Sequence, residues 1–249
     1  MLTNDLNPNF RELPLRDRVI VALDCNAAWE AIVMADALVG KASWVKVGMT
    51  LYYAEGPAII QMFKRRGFKV FLDLKFHDIP HQIEGAARSA AASGADMITM
   101  HTVGGLAMMQ AAQRGAVAGA AEIGASVPAT LGITVLTSMD DTALAATGVT
   151  RPLRDQVLAL ADLARTAGIS GVVASPQEAA ALRALLGPDA FIVTPGVRPA
   201  GAALGDQSRV ATPAEAFAAG ASHIVVGRPI TQAPDPAAAF DAIAAELEG

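Results

Sequence analysis

Eight times along this chain a short apolar run gives way to a longer stretch of helical periodicity, with no linker or shift in composition between them. The apolar runs are Arg18–Asp24, Ser43–Gly48, Lys69–Leu72 leading into Asp73–Pro80 (DLKFHDIP), Met97–His101, Ala129–Leu136, Gly171–Ser175, Phe191–Thr194 and His223–Gly227. Their length and β-branched content predict strands. Asn26 is placed to cap a first helix that runs to about Val39. The second helix is predicted from Ala54 to Arg66, stopped by Gly67. Pro80 opens the third, which ends near Ser93-Gly94, and Gly104 to Ile123 is the fourth. Pro152, Pro176 and Thr212-Pro213 start the next three, and the last begins near Pro234. Strict alternation of this kind implies a parallel sheet, because parallel neighbours need a crossover between them. Eight units in 249 residues predict a single (β/α)8 TIM barrel over residues 18–249, preceded by an N-terminal arm, residues 1–17. A doubly wound sheet is the alternative, but it usually has fewer strands.

Composition narrows the function. The chain is 53% hydrophobic and 17% charged, enough for one large core. A net charge of −5 predicts no general attraction to nucleic acid or to an anionic membrane. Cys25 is the only cysteine, which rules out an internal disulfide and a cysteine-cluster metal site and suits a reducing, cytoplasmic setting. The N-terminus lacks the apolar core of a signal peptide, and no run approaches the length of a membrane span.

In a barrel the chemistry sits at the C-terminal ends of the strands. The charged residues of the apolar runs fall there. Asp24 ends the first, Lys46 lies near the end of the second, and the third leads into Asp73, Lys75 and Asp78 in a D-x-K-x-x-D pattern. Alternation along a strand turns Asp73 and Lys75 to one side and Leu72, Leu74 and Phe76 to the other. If Ile20, Ala22 and Asp24 face inward, Trp44 and Lys46 do so by the same rule. A structural ion pair would explain one such pair of charges. Charges converging from separate strands are costly to bury for stability alone, which favours a site.

A second constellation lies late in the chain. A Gly/Pro-rich loop from Pro195 to Arg209 carries Arg198 and Gln207, and the eighth strand runs out through Gly227 and Arg228. Loops after the seventh and eighth strands commonly bind phosphate in this fold. Gly227 admits close approach of backbone N–H groups to an anion, and the Arg228 fork matches phosphate oxygens. His77 and His81 read as supporting groups, His101 as either a core or a supporting histidine, and Cys25 as a packing residue. Thr137 and Ser138 offer hydroxyls to a polar ligand edge.

Taken together, VALD (Val21–Asp24), VKVG (Val45–Gly48), DLKFHDIP, LTS (Leu136–Ser138), TPGVRP (Thr194–Pro199), GDQ (Gly205–Gln207) and VVGRPI (Val225–Ile230) resemble the orotidine 5′-monophosphate decarboxylase family. The pieces occur in that family's order and cover nearly all of the chain after residue 17. The resemblance implies a cofactor-independent carboxy-lyase that converts orotidine 5′-monophosphate to uridine 5′-monophosphate and CO2. It also implies a homodimer with active sites shared across the interface. It assigns Asp24 and Lys46 to the ribose, Lys75 to proton donation, and Asp73 to the neighbourhood of the substrate carboxylate. Asp78 and Ile79 would reach the partner's site, and Thr137 would face the pyrimidine. Pro195 and Arg198 would belong to a closing loop, and Gln207, Gly227 and Arg228 would bind the 5′-phosphate. Ser208 stands where bacterial relatives often carry a basic residue. Two Mg2+-dependent enzymes of the same barrel group, 3-keto-6-phosphogluconate decarboxylase and hexulose-phosphate synthase, resemble the chain in the same motif and loops. They use an acidic metal ligand where this chain has Lys46, and a lysine repels a metal. A phosphate-ligand binding protein without catalysis would need the phosphate loops but not the charged tetrad.

Overall fold

A computed structural model of the chain describes residues 10–199 and 211–248. All eight apolar runs are strands: β1 Val19–Leu23, β2 Trp44–Gly48, β3 Lys69–Phe76, β4 Met97–His101, β5 Ala129–Ile133, β6 Gly171–Val173, β7 Phe191–Thr194 and β8 His223–Val226. Each pairs in parallel with the next, and β8 pairs back onto β1, so the sheet closes as a (β/α)8 barrel. Closure leaves no edge strand with unpaired backbone groups.

The helices are α1 Ala28–Leu38, α2 Met49–Glu55, α3 Ala58–Arg65, α4 Pro80–Ala92, α5 Leu106–Glu122, α6 Asp141–Ala146, α7 Leu153–Ala167, α8 Ala179–Leu186, α9 Pro213–Ala218, α10 Arg228–Thr231 and α11 Pro236–Glu248. Four stretches differ from the sequence expectation. Ala27, not Asn26, is the N-cap of α1, and the Asn26 amide instead donates to Glu30 Oε2 at 3.1 Å. The single helix expected from Ala54 to Arg66 is two, because Gly56 at φ 68° ends α2 and Pro57 starts α3. Two short helices, α6 and α10, occupy stretches expected to be loop.

Side-chain alternation sorts the strands into two apolar layers. Ile20, Ala22, Trp44, Phe71, Met97, Leu131, Phe191, Val193 and Val225 form the barrel interior. Val19, Val21, Leu23, Val45, Val47, Val70, Leu72 and Ile98 face outward into the helix shell. Both layers are buried, so the strands read as continuous apolar runs. Small residues let the shell close tightly: a Cβ added at Gly115 or Gly119 of α5 would lie 2.1 Å from a backbone oxygen of α4.

The arm also has a place. Phe10 is buried and packs its ring 5.2 Å from Phe191 and 6.0 Å from His223, closing the N-terminal end of the barrel. Residues 1–9 of the arm lie outside the described residues, as do residues 200–210 with Gly205, Asp206, Gln207, Ser208 and Arg209.

Candidate active site

The opposite end of the barrel opens into a cavity of about 500 Å³. It is lined by Asp24, Lys46, Asp73 and Lys75, by Pro195, Arg198, Gly227 and Arg228, and by Thr137. The two constellations read from separate parts of the chain therefore share one space. The inward alternation explains the first: Lys46 lies two residues on from Trp44, and Asp73 two on from Phe71.

The four charges form an alternating chain. Lys46 Nζ lies 2.9 Å from Asp24 Oδ1 and 3.6 Å from Asp73 Oδ2. Lys75 Nζ lies 2.9 Å from the same Asp73 Oδ2. Asp73 Oδ1 accepts a hydrogen bond from Thr99 Oγ1 at 3.0 Å. Asp73 and Lys46 are the deep members, each with about an eighth of its side chain exposed, whereas Asp24 is open to solvent. Burial alone would raise the Asp73 pKa, but Lys46 and Lys75, with hydrogen bonds from Lys75 and Thr99, hold it below the usual carboxylate value. Burial alone would lower that of Lys46, but Asp73 and Asp24 hold it above the usual amine value. Both groups are therefore charged at neutral pH.

Gly48 makes room for this chain. A Cβ there would lie 3.2 Å from Asp24 Oδ1 and 3.3 Å from Lys46 Nζ, so a side chain would crowd the ion pair. Lys75 is held in an unusual way. Its φ of 53° makes it the one non-glycine residue with positive φ among the described residues. Such a conformation costs about 1–3 kcal/mol and persists where the surroundings over-determine it.

Arg198 is buried, and its amide donates to Ala211 O at 3.0 Å, which ties together the two ends of the loop beyond β7. Burial, and then the neighbouring charge of Arg228, depress the Arg198 pKa. Two guanidiniums near enough to repel thus line the cavity, an arrangement suited to an anion. Gly227 is the N-cap of α10, and Gln232 just after that helix also lines the cavity.

Asp78 and Ile79 stand apart. Both are exposed, neither lines the cavity, and Asp78 Oδ1 accepts from the Ile79 amide at 2.6 Å. Within one chain, then, Lys75 is paired with Asp73 and not held between Asp73 and Asp78. His77 and His101 approach at 5.5 Å between ring centroids beside the tetrad. Burial, with His77 and Lys75, depresses the His101 pKa. Gln207 lies outside the described residues. Sequence reasoning misses Gly48 as a spacer, and Gln232 and Thr99 altogether. A glycine following an inward lysine at the end of a strand is the available signal for Gly48.

A barrel whose mouth is lined by an alternating charge chain and by two arginines has the arrangement of an enzyme of the α/β-barrel class. Residues 17–243 match the family model described as "Orotidine 5'-phosphate decarboxylase / HUMPS family", and the chain belongs to that family. It is 52% identical over 236 residues to an orotidine 5′-phosphate decarboxylase of Moorella thermoacetica, covering 94% of this chain and 93% of that one. It is 53% identical over 231 residues to the enzyme of the same name from Anaeromyxobacter sp. strain K, covering 93% and 98%. The crystal structure of orotidine 5′-phosphate decarboxylase from Lactobacillus acidophilus superposes with a TM-score of 0.83 at 40% identity, covering 94% of this chain and all of that one.

Proposed function

We propose that the chain decarboxylates orotidine 5′-monophosphate to uridine 5′-monophosphate in de novo pyrimidine biosynthesis, without a cofactor. The observation that carries this reading is the chain Asp24–Lys46–Asp73–Lys75 in a cavity that Arg198 and Arg228 also line. The named relatives and the family match support it.

The reaction breaks the bond from pyrimidine C6 to the carboxylate carbon. CO2 leaves and the electron pair stays on C6. Lys75 is the group positioned to stabilise that pair as an ammonium and then give its proton to C6; water returns a proton to the amine. Asp73, ionised and beside Lys75, would face the departing carboxylate. Asp24 and Lys46 would hold the ribose hydroxyls, and Thr137 a pyrimidine edge. Arg228, Gly227 and Gln207 would bind the 5′-phosphate, with Pro195 and Arg198 in a loop that closes over it. Phosphate binding far from C6 supplies energy for closure and alignment rather than for bond breaking. We further propose a homodimer in which Asp78 and Ile79 enter the partner's site. Ile79 is a large apolar side chain left 63% exposed next to a carboxylate that takes no part in its own chain's tetrad. We place the protein in the cytoplasm, a compartment that suits a biosynthetic enzyme with a single cysteine. Among the described residues no helix is long and apolar enough to cross a membrane.

The metal-dependent reading of the same family fits the tetrad poorly. The Lys46 ammonium already lies against Asp24 and Asp73, the two carboxylates a divalent cation would need. Turnover of orotidine 5′-monophosphate in the presence of EDTA tests the proposal. Release of CO2 and formation of uridine 5′-monophosphate are expected. No turnover, or turnover only of a sugar phosphate and only with Mg2+, overturns it.

A further inference from the structure

The strands β3 and β4 do not keep step. Leu72 is paired with Ile98, but the next pairing is Phe76 with Met100. Asp73, Leu74 and Lys75 therefore stand opposite Thr99 alone. A bulge of this kind re-aims side chains and leaves backbone groups without their ladder partners. Lys75 takes its left-handed φ within it. The Lys75 amide donates to Thr99 Oγ1 at 2.9 Å instead of to a strand carbonyl. Because that oxygen is accepting from an amide, its own proton is free to go to Asp73 Oδ1, 3.0 Å away. The other Asp73 oxygen, Oδ2, is left for the two lysines. The result is a closed ring: Thr99 hydroxyl, Lys75 backbone, Lys75 ammonium, Asp73 carboxylate, and back to Thr99. Thr99 itself is fully buried and does not line the cavity.

We propose that Thr99 is a positioning residue for decarboxylation: its one hydroxyl holds both the bulged Lys75 backbone and the orientation of the Asp73 carboxylate. It touches no substrate and acts only through those two residues. Serine keeps the hydroxyl, while valine keeps the shape and removes both bonds, leaving a buried amide and a buried carboxylate oxygen unpaired. The inference rests on the decarboxylase reading for its kinetic arm, but not for its titration arm.

Three variants test it, Thr99→Val, Thr99→Ser and Thr99→Cys. In Thr99→Val, kcat should fall at least about tenfold with KM within about threefold of wild type, because the lost contact aligns reacting groups and binds nothing. Thr99→Ser should recover kcat to within about threefold of wild type. Independently of any turnover, the Asp73 carboxyl, followed by carbon NMR, should titrate at higher pH in Thr99→Val than in wild type and Thr99→Ser. The charged and titratable groups around it are the same in all three proteins: Asp24 beyond β1, Lys46 on β2, Lys75 on β3, and His101 on β4 with its neighbour His77. If Thr99→Val does not fold, Thr99→Cys, with a thiol that bonds weakly, is held to the same expectations. The proposal is overturned by a variant lacking the hydroxyl that keeps kcat within about threefold, by serine performing no better than valine, or by an Asp73 titration that does not move. Wild-type protein without activity would sink the decarboxylase reading, and the titration would still decide whether Thr99 governs Asp73.

Discussion

Lys75 Nζ lies 2.9 Å from Oδ2 of Asp73, its neighbour two places back on the same strand. On a regular strand, residues i and i+2 are separated by roughly 6.6 Å at ~3.3 Å per residue, with parallel side chains. Here the bulge turns the lysine back onto the carboxylate. An ammonium held there can act on charge that develops just above Asp73.

Removing that ammonium should remove the chemistry. Lys75→Ala is expected to lower kcat by far more than about tenfold while leaving the fold intact, since Asp73 keeps Lys46 and Thr99 as partners. Steady-state kinetics with a thermal melt check both halves. A variant with more than about a tenth of wild-type kcat, a barrier change under roughly 1.4 kcal/mol, shows that Lys75 is not the proton donor.

The proposed sharing of sites makes a prediction that a monomer cannot satisfy. Inactive Lys75→Ala and inactive Asp78→Ala subunits, once mixed and exchanged, should regain activity. In a heterodimer one of the two sites combines an intact Lys75 with an intact Asp78 from the other subunit. If subunit exchange is demonstrated and activity stays absent, Asp78 does not act across an interface.

Arg228 should matter in proportion to the phosphate. Hydrogen bonds to charged groups contribute roughly 1.5–3 kcal/mol. Arg228→Ala should therefore cut kcat/KM for the nucleotide by at least about tenfold. It should leave the slow turnover of the nucleoside orotidine nearly unchanged, and guanidinium in solution should restore part of the loss. An equal effect on nucleotide and nucleoside would remove Arg228 from the phosphate site.

The far end of the barrel predicts a pH dependence of stability. His223 is fully buried among Phe10, Trp44 and Phe191, and burial, followed by the nearby charges of Arg18 and Lys69, lowers its pKa to about 3. The unfolded chain takes up a proton near pH 6.5, about three and a half units before the folded one does. The neutral histidine therefore costs nothing above about pH 6.5, and stability is lost progressively as the pH falls from there towards 3. In His223→Phe, which cannot titrate, the melting temperature should decline less over that window, with kcat at neutral pH unaffected. Parallel melting curves for the two proteins would show that His223 titrates alike in both states.

Much of the site is legible in the sequence because its residues sit where local rules place them. Asp24, Lys46 and Asp73 follow inward apolar positions by the two-residue period of a strand, so the alternation alone implies that they converge. Gly227 and Arg228 are legible from position, after the eighth strand. Thr99 is not: a threonine in an apolar strand carries no signal, and its importance comes from three residues of β3 facing it. Gln232 is hidden for another reason, since the four residues of α10 form too short a pattern to show a helical period. The break between α2 and α3 does have a local mark, the turn pair Gly56-Pro57, which outweighs the helical periodicity on either side of it.

Hydrophobic periodicity and turn residues, both local, are enough to set the barrel class, the order of its elements and the end at which the charges gather. The pairing of β8 with β1, which brings Arg228 into the same cavity as Asp24, depends on closure of the whole sheet. The slip between β3 and β4 that bends Lys75 onto Asp73 is likewise a matter of register between strands. Register between strands is decided by packing and hydrogen bonds made after distant segments meet, and no window of neighbouring residues contains that information.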